Sequence, residues 1–271
     1  PAPAISLLIA IVLVASWELM ARTGLISAFL APAPSTVART IVEQFSSGQI
    51  IPHLAATLYR VSFSLVIGGS VGIAAGLLMG MVPRLRTIAD PFVSAMHPLP
   101  KIAILPIVMA VLGIGDTARI AVISLGVFFP MMINTMGGVK QISRTHLDVA
   151  RNYGAKGFKL FTRVVLPASL PMVLTGLRIA LNLGLLITIT TEIAGATVGL
   201  GALIWTSWEV MRMEVAYAAL IVIMVLGILF NVIVKELTNR FAPWSVEGST
   251  FRVSLPVQPR NDSSVAGTLN A

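Results

Sequence analysis

The chain has 271 residues, of which 56% are apolar and 11% charged, and its formal net charge is +8. Soluble domains carry about 25% charged residues. This composition therefore excludes an ordinary soluble enzyme or a disordered chain and favours a protein that lies in a lipid bilayer. The absence of cysteine excludes disulfide bonds and thiolate metal sites. A basic balance in a membrane protein is typical of cytoplasmic loops, so we expect membrane lipid and no nucleic acid as a partner.

Six apolar runs have the composition of membrane-spanning helices, which need about 20 residues each. The first lacks a basic region before it and a small-residue cleavage site after it, so we expect a retained span and not a signal peptide. The third is short and contains Pro106, after Pro98 and Pro100, which predicts a broken span or one buried in protein. The runs are 4–17, 61–82, 102–114, 120–138, 170–189 and 215–234.

The segments outside these runs complete the predicted organisation. Ser35 is a predicted N-cap of a short helix with Val37, Ile41 and Phe45 on one face. Residues 245–271 are mostly polar, which favours a flexible cytoplasmic tail. We therefore predict an all-α polytopic membrane protein in which residues 1–244 form one transmembrane domain with about six helices.

The basic residues predict the orientation of the spans. With both termini on the cytoplasmic side, 14 of the 19 basic residues lie inside, as the positive-inside rule requires. The inside set is Arg84, Arg86, Lys101, Lys140, Arg144, Arg151, Lys156, Lys159, Arg163, Arg178, Lys235, Arg240, Arg252 and Arg260. The outside set is Arg22, Arg39, Arg60, Arg119 and Arg212.

Residues 140–168, between the fourth and fifth spans, form a loop that is long and rich in helix formers. Leu147, Ala150 and Arg151 would share one face of a short helix, and Gly154 would end it in the left-handed conformation. A second amphipathic stretch, residues 158–164, leads to Pro167. A basic helix in this place is suited to binding anionic lipid or to docking a soluble partner, and the residues alone leave both open.

The spacing in this loop resembles the pattern E-A-A-x3-G-x9-I-x-L-P, the cytoplasmic loop of permease subunits of bacterial ABC importers. Asp148 is a shorter acid than the usual glutamate. In that family two permeases and two ATPases form the transporter, and an external solute-binding protein delivers the solute. The fixed positions of the pattern are occupied here by Asp148, Val149, Ala150, Gly154, Val164, Leu166 and Pro167.

This resemblance implies a mechanism and partners. The loop would be a coupling helix in a cleft of the ATPase, and ATP-driven closure of two ABC ATPase subunits would turn the permeases from inward-facing to outward-facing. ATP and Mg²⁺ would be held by those partners and no cofactor by this chain. A second permease copy, forming a homodimer, and a solute-binding protein are also implied. The expected ATPase contacts are Asp148, Ala150, Arg151, Gly154 and Lys156, with Pro167 stiffening the connection to the fifth span.

Further segments resemble permeases of the sulfonate, taurine, nitrate and bicarbonate type, over roughly residues 30–244. The resemblance implies a type I ABC importer permease fold, the bacterial inner membrane and a small anion as substrate. Relatives with this pattern also move thiamine precursors, so that substrate class stays open. The segments are 53–61, 98–106, 113–116, 128–130, 134–135, 166–171, 176–178, Glu192 and 199–201.

Four glycines in the second span, each four residues after the last, form a stripe on one helix face: Gly68, Gly72, Gly76 and Gly80. Such a stripe lets another helix approach closely. It suits packing within the chain or against a second permease. It is not a phosphate loop, because no lysine follows with the required spacing.

Glu192 is an acid at the end of an apolar span, followed by Gly199 and Gly201. An acid at membrane depth is a functional hypothesis by default, and an interfacial hydrogen-bonded acid is the simpler alternative. The glycines would permit a sharp backbone path, as in a gate. The three histidines are scattered and no catalytic set is present, so we expect neither a metal site nor an enzyme. An ion- or proton-coupled secondary carrier is the alternative function, although acids within the spans are scarce.

Overall fold

The computed structural model describes residues 2–27 and 29–244, and the regular elements of these residues are all helical. The predicted tail, residues 245–271, lies outside the described residues. The α-helices are α1 (Ala2–Arg22), α2 (Pro34–Ser46), α3 (Ile50–Met81), α4 (Pro83–Met96), α5 (Leu105–Leu112), α6 (Asp116–Lys140), α7 (Arg144–Asn152), α8 (Gly157–Leu160), α9 (Leu166–Ile193), α10 (Leu200–Glu209) and α11 (Met213–Phe241). A 3₁₀ turn covers Lys101–Ile104 and a π-helical turn covers Phe161–Val165.

Five helical stretches of the described residues are long and apolar enough to cross a membrane, and a sixth is added if α4 and the Lys101–Leu112 stretch are one span. That pair is bent by 85°. The prediction that the third span is broken is therefore confirmed. The physical cause is the pair Pro98 and Pro100, because proline lacks the amide donor that a continuing helix needs.

Helices α3 and α6 run parallel. Gly68 lies against Ser124, and Gly80, three turns later, lies against Val139. Because both helices point the same way, the chain between them must return from one end of the bundle to the other. The bent pair α4–α5 makes that return, so the topology favours six crossings.

The glycine stripe is the reason for this close packing. A Cβ atom at Gly72 would lie 2.7 Å from the Phe128 carbonyl oxygen, and one at Gly76 would lie 2.5 Å from the Met132 carbonyl oxygen. Real Cβ atoms are essentially never closer than 3.0 Å to such neighbours. The stripe therefore faces α6 of the same chain, not an open surface.

Helix α9 packs antiparallel to α6. Gly138, near the end of α6, lies against Ser169 near the start of α9, and Gly126 lies against Ile187. Bulky apolar side chains fill the space between the close contacts. The buried residues of this core are Ile123, Val127, Met131, Val173 and Ala180.

Helix α11 runs parallel to α3, since Ile50 clusters with Val222 and Val61 clusters with Val234. The end of α11 therefore lies at the same end of the bundle as residues 140–168, which we call the loop end. The opposite end, where α9 finishes, is the cluster end. The C-terminal half of α1 reaches the cluster end, where the ring of Trp17 lies 5.8 Å from that of Tyr217.

The prediction for α2 is partly wrong. The N-cap is Ala33, and Ser35 lies inside the helix, where its hydroxyl donates to Glu18 Oε1 of α1 at 2.7 Å. Val37 is buried as expected, but Phe45 is 42% exposed. Since Ser35 finds a tertiary partner, it does not cap its own helix.

Two basic residues assigned to the cytoplasmic surface lie instead near mid-depth of the bundle. The amino group of Lys101 lies 5.2 Å from the ring centre of Phe129, in the middle of α6. Arg178 is near the middle of α9, between Leu166 and Ile193. The excess of basic residues at the loop end does not depend on these two.

Candidate functional site

A group of charged and polar side chains lies at the cluster end, and all of them except Asp116 are buried. It consists of Thr57 and Arg60 of α3, Asp116 and Arg119 of α6, and Glu192 of α9, and we call it the Arg60–Glu192 cluster. Glu192 and Thr57 are 0% exposed and Arg60 is 4% exposed. A buried charge without a partner is strongly destabilising, so the contacts of this cluster determine whether the fold tolerates it.

Arg60 joins the two carboxylates of the cluster. Its Nη1 donates to Glu192 Oε1 at 2.7 Å and to the backbone carbonyl of Val198 at 2.7 Å. Its Nε donates to Asp116 Oδ1 at 2.9 Å. One guanidinium therefore ties α3 to α6, to α9 and to the segment that follows α9. Fixed planar donors of this kind are what arginine offers and lysine does not.

The carboxylate of Glu192 also holds the start of α10. Glu192 Oε2 accepts the backbone N–H of Gly201 at 2.9 Å, and the Thr57 hydroxyl lies 2.9 and 3.0 Å from the two carboxylate oxygens. The N–H of Leu200 donates to that same hydroxyl oxygen at 2.9 Å. The first amides of a helix have no partner within the helix and carry a partial positive charge. Glu192 and Thr57 supply the acceptors.

The two predicted gate glycines make room for this carboxylate. Gly199 has φ +146°, and a Cβ atom there would overlap the Glu192 carboxyl group. A Cβ atom at Gly201 would lie 2.8 Å from Glu192 Cβ. His53 Nδ1 lies 2.9 Å from the Gly199 carbonyl oxygen and adds a contact from α3. The segment after Gly199 is the regular helix α10, so the glycines serve close packing around Glu192.

Arg119 extends the cluster to the loop between α9 and α10. Its Nη2 donates to the carbonyl of Gly195 at 2.7 Å, and its Nη1 lies 3.6 Å from Asp116 Oδ1. Sequence reasoning placed Arg60 and Arg119 among surface charges and missed this role. Arg60 lies one residue before a long apolar run, a position that a surface charge also occupies, so the sequence carried no signal that distinguishes the two.

The loop end carries the second candidate site, residues 140–168. Helix α7 begins at Arg144, with the Ser143 hydroxyl accepting the N–H of His146 at 3.3 Å. Gly154 has φ +80°, and the N–H of Ala155 donates to the carbonyl of Ala150 at 2.9 Å. These are the features of a helix end closed by a left-handed glycine. The predicted conformation of Gly154 is confirmed.

The predicted ATPase-contact residues share this small element. Asp148 and Arg151 are exposed and form an ion pair of 3.2 Å, while Lys156 is exposed and Ala150 is half-buried. Pro167 is in the first turn of α9. No contact in this single chain tests their role.

Two exposed aromatic residues near Gly154 were missed by sequence reasoning. Tyr153 is 86% exposed and Phe158 is 79% exposed. Large aromatic side chains with little packing of their own are typical anchors of protein interfaces. The signal was their position on either side of the glycine that closes α7.

The loop contacts the bundle through apolar side chains. Leu147 and Phe161 pack against the buried cluster of Leu77, Val139 and Val165, which belongs to the ends of α3 and α6 and the entry to α9. Residues Gly157–Ile193 form one uninterrupted helical stretch that includes the π-helical turn. The two candidate sites are therefore the two ends of one long helix. Within the described residues, no group of three His, Asp or Glu side chains could hold a metal ion.

Comparison with known proteins agrees with this architecture. Residues 68–243 match the family described as binding-protein-dependent transport system inner membrane component. The taurine transport system permease protein TauC of Escherichia coli K12 is 32% identical over 241 residues, covering 87% of this chain and 88% of that protein. The formylaminopyrimidine transport permease protein ThiX of Halalkalibacterium halodurans is 33% identical over 234 residues, covering 86% and 93%.

A solved structure supports the fold. A chain of the inward-facing MetNI methionine ABC transporter superposes with a TM-score of 0.57 at 20% identity, covering 71% of this chain and 94% of that chain. The type I importer permease fold is thereby confirmed. The family is one of ABC permeases, transport components of the inner membrane, and not of ion-coupled secondary carriers. The chain belongs to the binding-protein-dependent transport system inner membrane component family and is an ABC importer permease subunit.

Proposed function

We propose that this permease imports a small anion by alternating access, driven by two ABC ATPase subunits that dock on residues 140–168. The observation that carries the proposal is the exposed helix α7, which is closed by Gly154 and anchored to the bundle by Leu147. A coupling element must present a surface to its partner and contact the helices that move, and this loop does both. ATP and Mg²⁺ belong to the partner subunits.

The surface of the loop suits a protein partner better than a lipid surface. Arg151 is paired with Asp148 at 3.2 Å, and the other exposed basic residues of the loop are Lys140, Arg144, Lys156, Lys159 and Arg163. Tyr153 and Phe158 protrude beside this pair. The exposed basic residues suit either anionic lipid or a protein, whereas exposed aromatic side chains beside an orienting charge pair are typical of a protein interface.

The helix packing supports an orientation with both termini in the cytoplasm. If residues 140–168 are cytoplasmic, the parallel packing of α11 with α3 brings the C-terminal end to the same side. α1 reaches the opposite side with Trp17, so a spanning α1 starts in the cytoplasm. The cluster end then faces outward, where a solute-binding protein delivers its cargo.

A homodimer is the simplest assembly that encloses a path. Several large apolar side chains of and beside α5 protrude from this chain: Ile107 is 67%, Val111 is 78% and Ile114 is 87% exposed. The sequence predicted that this span is buried in protein. Within this chain only Leu105 of α5 is buried, so the chain alone covers part of the span. A second copy of the permease would complete that burial.

The substrate class is supported by the names of two relatives. TauC is a taurine permease by name, and taurine carries a sulfonate. ThiX is a formylaminopyrimidine permease by name, which keeps a thiamine-precursor type of solute as the second candidate. A ligand screen on the purified cognate binding protein separates the two, with taurine and alkanesulfonates expected to bind and pyrimidines to fail.

The docking role is tested by coexpressing the tagged permease with the ATPase encoded beside it and measuring how much ATPase copurifies. Tyr153→Ala should reduce the recovered ATPase at least tenfold while leaving the permease yield unchanged. Tyr59→Ala is the matched control, since Tyr59 is a 51% exposed tyrosine on α3, away from the loop. Equal recovery with both variants would refute docking at Tyr153, and no ATPase with the unaltered chain would refute the coupling proposal.

A further inference from the structure

The break between α4 and the Lys101–Ile104 turn places irregular backbone at mid-depth of the bundle. Residues 97–100 are exposed on this chain. Irregular backbone at membrane depth is tolerated only where it is buried in protein or lines a water-filled cavity, because lipid offers no hydrogen bonds. Something other than lipid therefore faces residues 97–100.

Lys101 adds a charge at the same place. Its Nζ donates to the carbonyl oxygen of His97, and it lies 5.2 Å from the ring centre of Phe129. The His97 ring is 5.7 Å from that same aromatic ring. The side chains of Lys101 and His97 thus both contact the ring of Phe129 in α6.

The depth of this site follows from its position along α6. Phe129 lies 13 residues after Asp116 and 11 before Lys140, the two ends of the helix. At about 1.5 Å per residue, the ring is roughly 17–20 Å from either end. A lysine side chain is too short to reach a membrane surface about 15 Å away, so Lys101 does not snorkel out.

A cation held at that depth is costly and almost always faces the bundle interior or water. Lys101 has no carboxylate within ion-pair distance among the described residues. Lys101 is half-buried and His97 is exposed, so both side chains are accessible from outside this chain at the break. Both observations, the open backbone and the unneutralised charge, indicate the same water-filled space.

We propose that Lys101 and His97 form an anion-binding step on the translocation path, with Phe129 as its apolar wall. This inference rests on the proposed function, because it assigns a residue set to the passage of the solute. The ammonium group of Lys101 attracts the sulfonate or other anionic group of the solute, and His97 donates a further hydrogen bond. The same positive charge disfavours cations of similar size.

The competing role for Lys101 is structural. The carbonyl of His97 belongs to the C-terminal cap of α4, where a basic side chain is stabilising. A helix cap needs only a hydrogen-bond donor to that carbonyl. An anion-binding step also needs contact with water and a positive electrostatic potential. An experiment that measures access and charge selectivity therefore separates the two roles.

The 271 residues contain no cysteine, so a single His97→Cys substitution provides one thiol beside Lys101 in each permease copy, and its labelling is read on the separated permease band. The assembled transporter, with its ATPases and in lipid vesicles, is treated with an anionic sulfonatoethyl and a cationic trimethylammonioethyl methanethiosulfonate. We expect both reagents to react and the anionic one to be favoured. Adding Lys101→Gln should lower the anionic-to-cationic rate ratio about tenfold, the order expected when one positive charge close to the thiol is removed. Lys101→Arg should retain the ratio, and the control Lys235→Gln, on exposed α11, should leave it unchanged.

A thiol at position 97 that reacts with neither reagent would overturn the proposal, as would a rate ratio that Lys101→Gln does not alter. If Lys101→Gln does not fold, a protection experiment on the His97→Cys variant tests the proposal. Excess ethanesulfonate should slow labelling at position 97, and an unchanged labelling rate would overturn the proposed site. ATPase copurification is measured on the same samples. No ATPase copurifying with the unaltered chain would refute the proposed coupling, while labelling of the permease in vesicles would still report on Lys101.

Discussion

The Arg60–Glu192 cluster should dominate the stability of the cluster end, and replacing Arg60 by methionine is the most informative perturbation. Arg60→Met removes hydrogen bonds of 2.7 Å to Glu192, 2.9 Å to Asp116 and 2.7 Å to the Val198 carbonyl. It removes the direct ion-pair partner of the Glu192 carboxylate, which is 0% exposed. Breaking a buried ion pair from one side costs about 3–5 kcal/mol of unfolding free energy.

A double-mutant cycle separates the pair from its surroundings. Glu192→Met alone leaves the Arg60 charge buried and the Gly201 amide unpaired, so we expect a loss of about 3 kcal/mol. In the double variant neither charge remains, so the combined loss should fall short of the sum by at least about 2 kcal/mol. The assay is reversible unfolding in mixed micelles, followed by circular dichroism as the denaturing detergent is increased.

The matched control is the exposed pair of Arg39 and Glu43, whose side chains are 78% and 60% exposed at 3.1 Å. Arg39→Met should leave the transition almost unchanged, since exposed pairs contribute little. Salt should weaken the exposed pair more than the buried one. If Arg60→Met unfolds at the same detergent fraction as Arg39→Met, the cluster does not hold the helices together and the reasoning fails.

Two further glycine substitutions have matched controls within the chain. Gly76→Ala would bring a Cβ atom to 2.5 Å from the Met132 carbonyl oxygen and should cost about 1–3 kcal/mol; Gly69→Ala, whose nearest neighbour is at 3.9 Å, should be neutral in the same unfolding assay. Gly154→Ala and Gly48→Ala share positive φ angles of +80° and +74° with open space around them, so each should lose about 1–2 kcal/mol. Only Gly154→Ala should reduce copurification of the ATPase, and an equal reduction by Gly48→Ala would show a general folding defect.

The apolar runs and the local backbone signals were predictable because they act over a few residues. Six apolar stretches predicted the long helices, prolines at 98 and 100 predicted the break, and Gly154 predicted the end of α7. Each depends on the chain's own neighbours: a proline lacks a donor wherever it occurs, and a glycine accepts φ above zero wherever it is needed. The tertiary fold did not override these signals.

The partners of the buried charges were not predictable from local pattern. Arg60 and Glu192 are 132 positions apart in the chain, and no periodicity links them. A sequence shows only that each charge borders an apolar run, which a surface residue also does. Ser35 failed in the same way, because a carboxylate on α1 competes for its hydroxyl. The ring of Phe129 beside Lys101 likewise depends on the bend of the third span, whose direction no motif specifies.

Helix packing limits how motion at the loop end can travel. The stretch Gly157–Ile193 is 37 residues long, or roughly 55 Å of helix, so a displacement at residues 157–160 is carried toward Glu192 along one element, in which the π-helical turn and Pro171 are the places able to bend. Sliding of α9 past its neighbours is blocked, because Gly138 and Gly176 leave no space for even a Cβ atom between α6 and α9. Closely packed interfaces of this kind have discrete arrangements and do not deform continuously. We therefore expect α3, α6, α9 and α10 to move as one body that the Arg60–Glu192 cluster holds together. We expect the change in conformation to occur at the bend between α4 and α5.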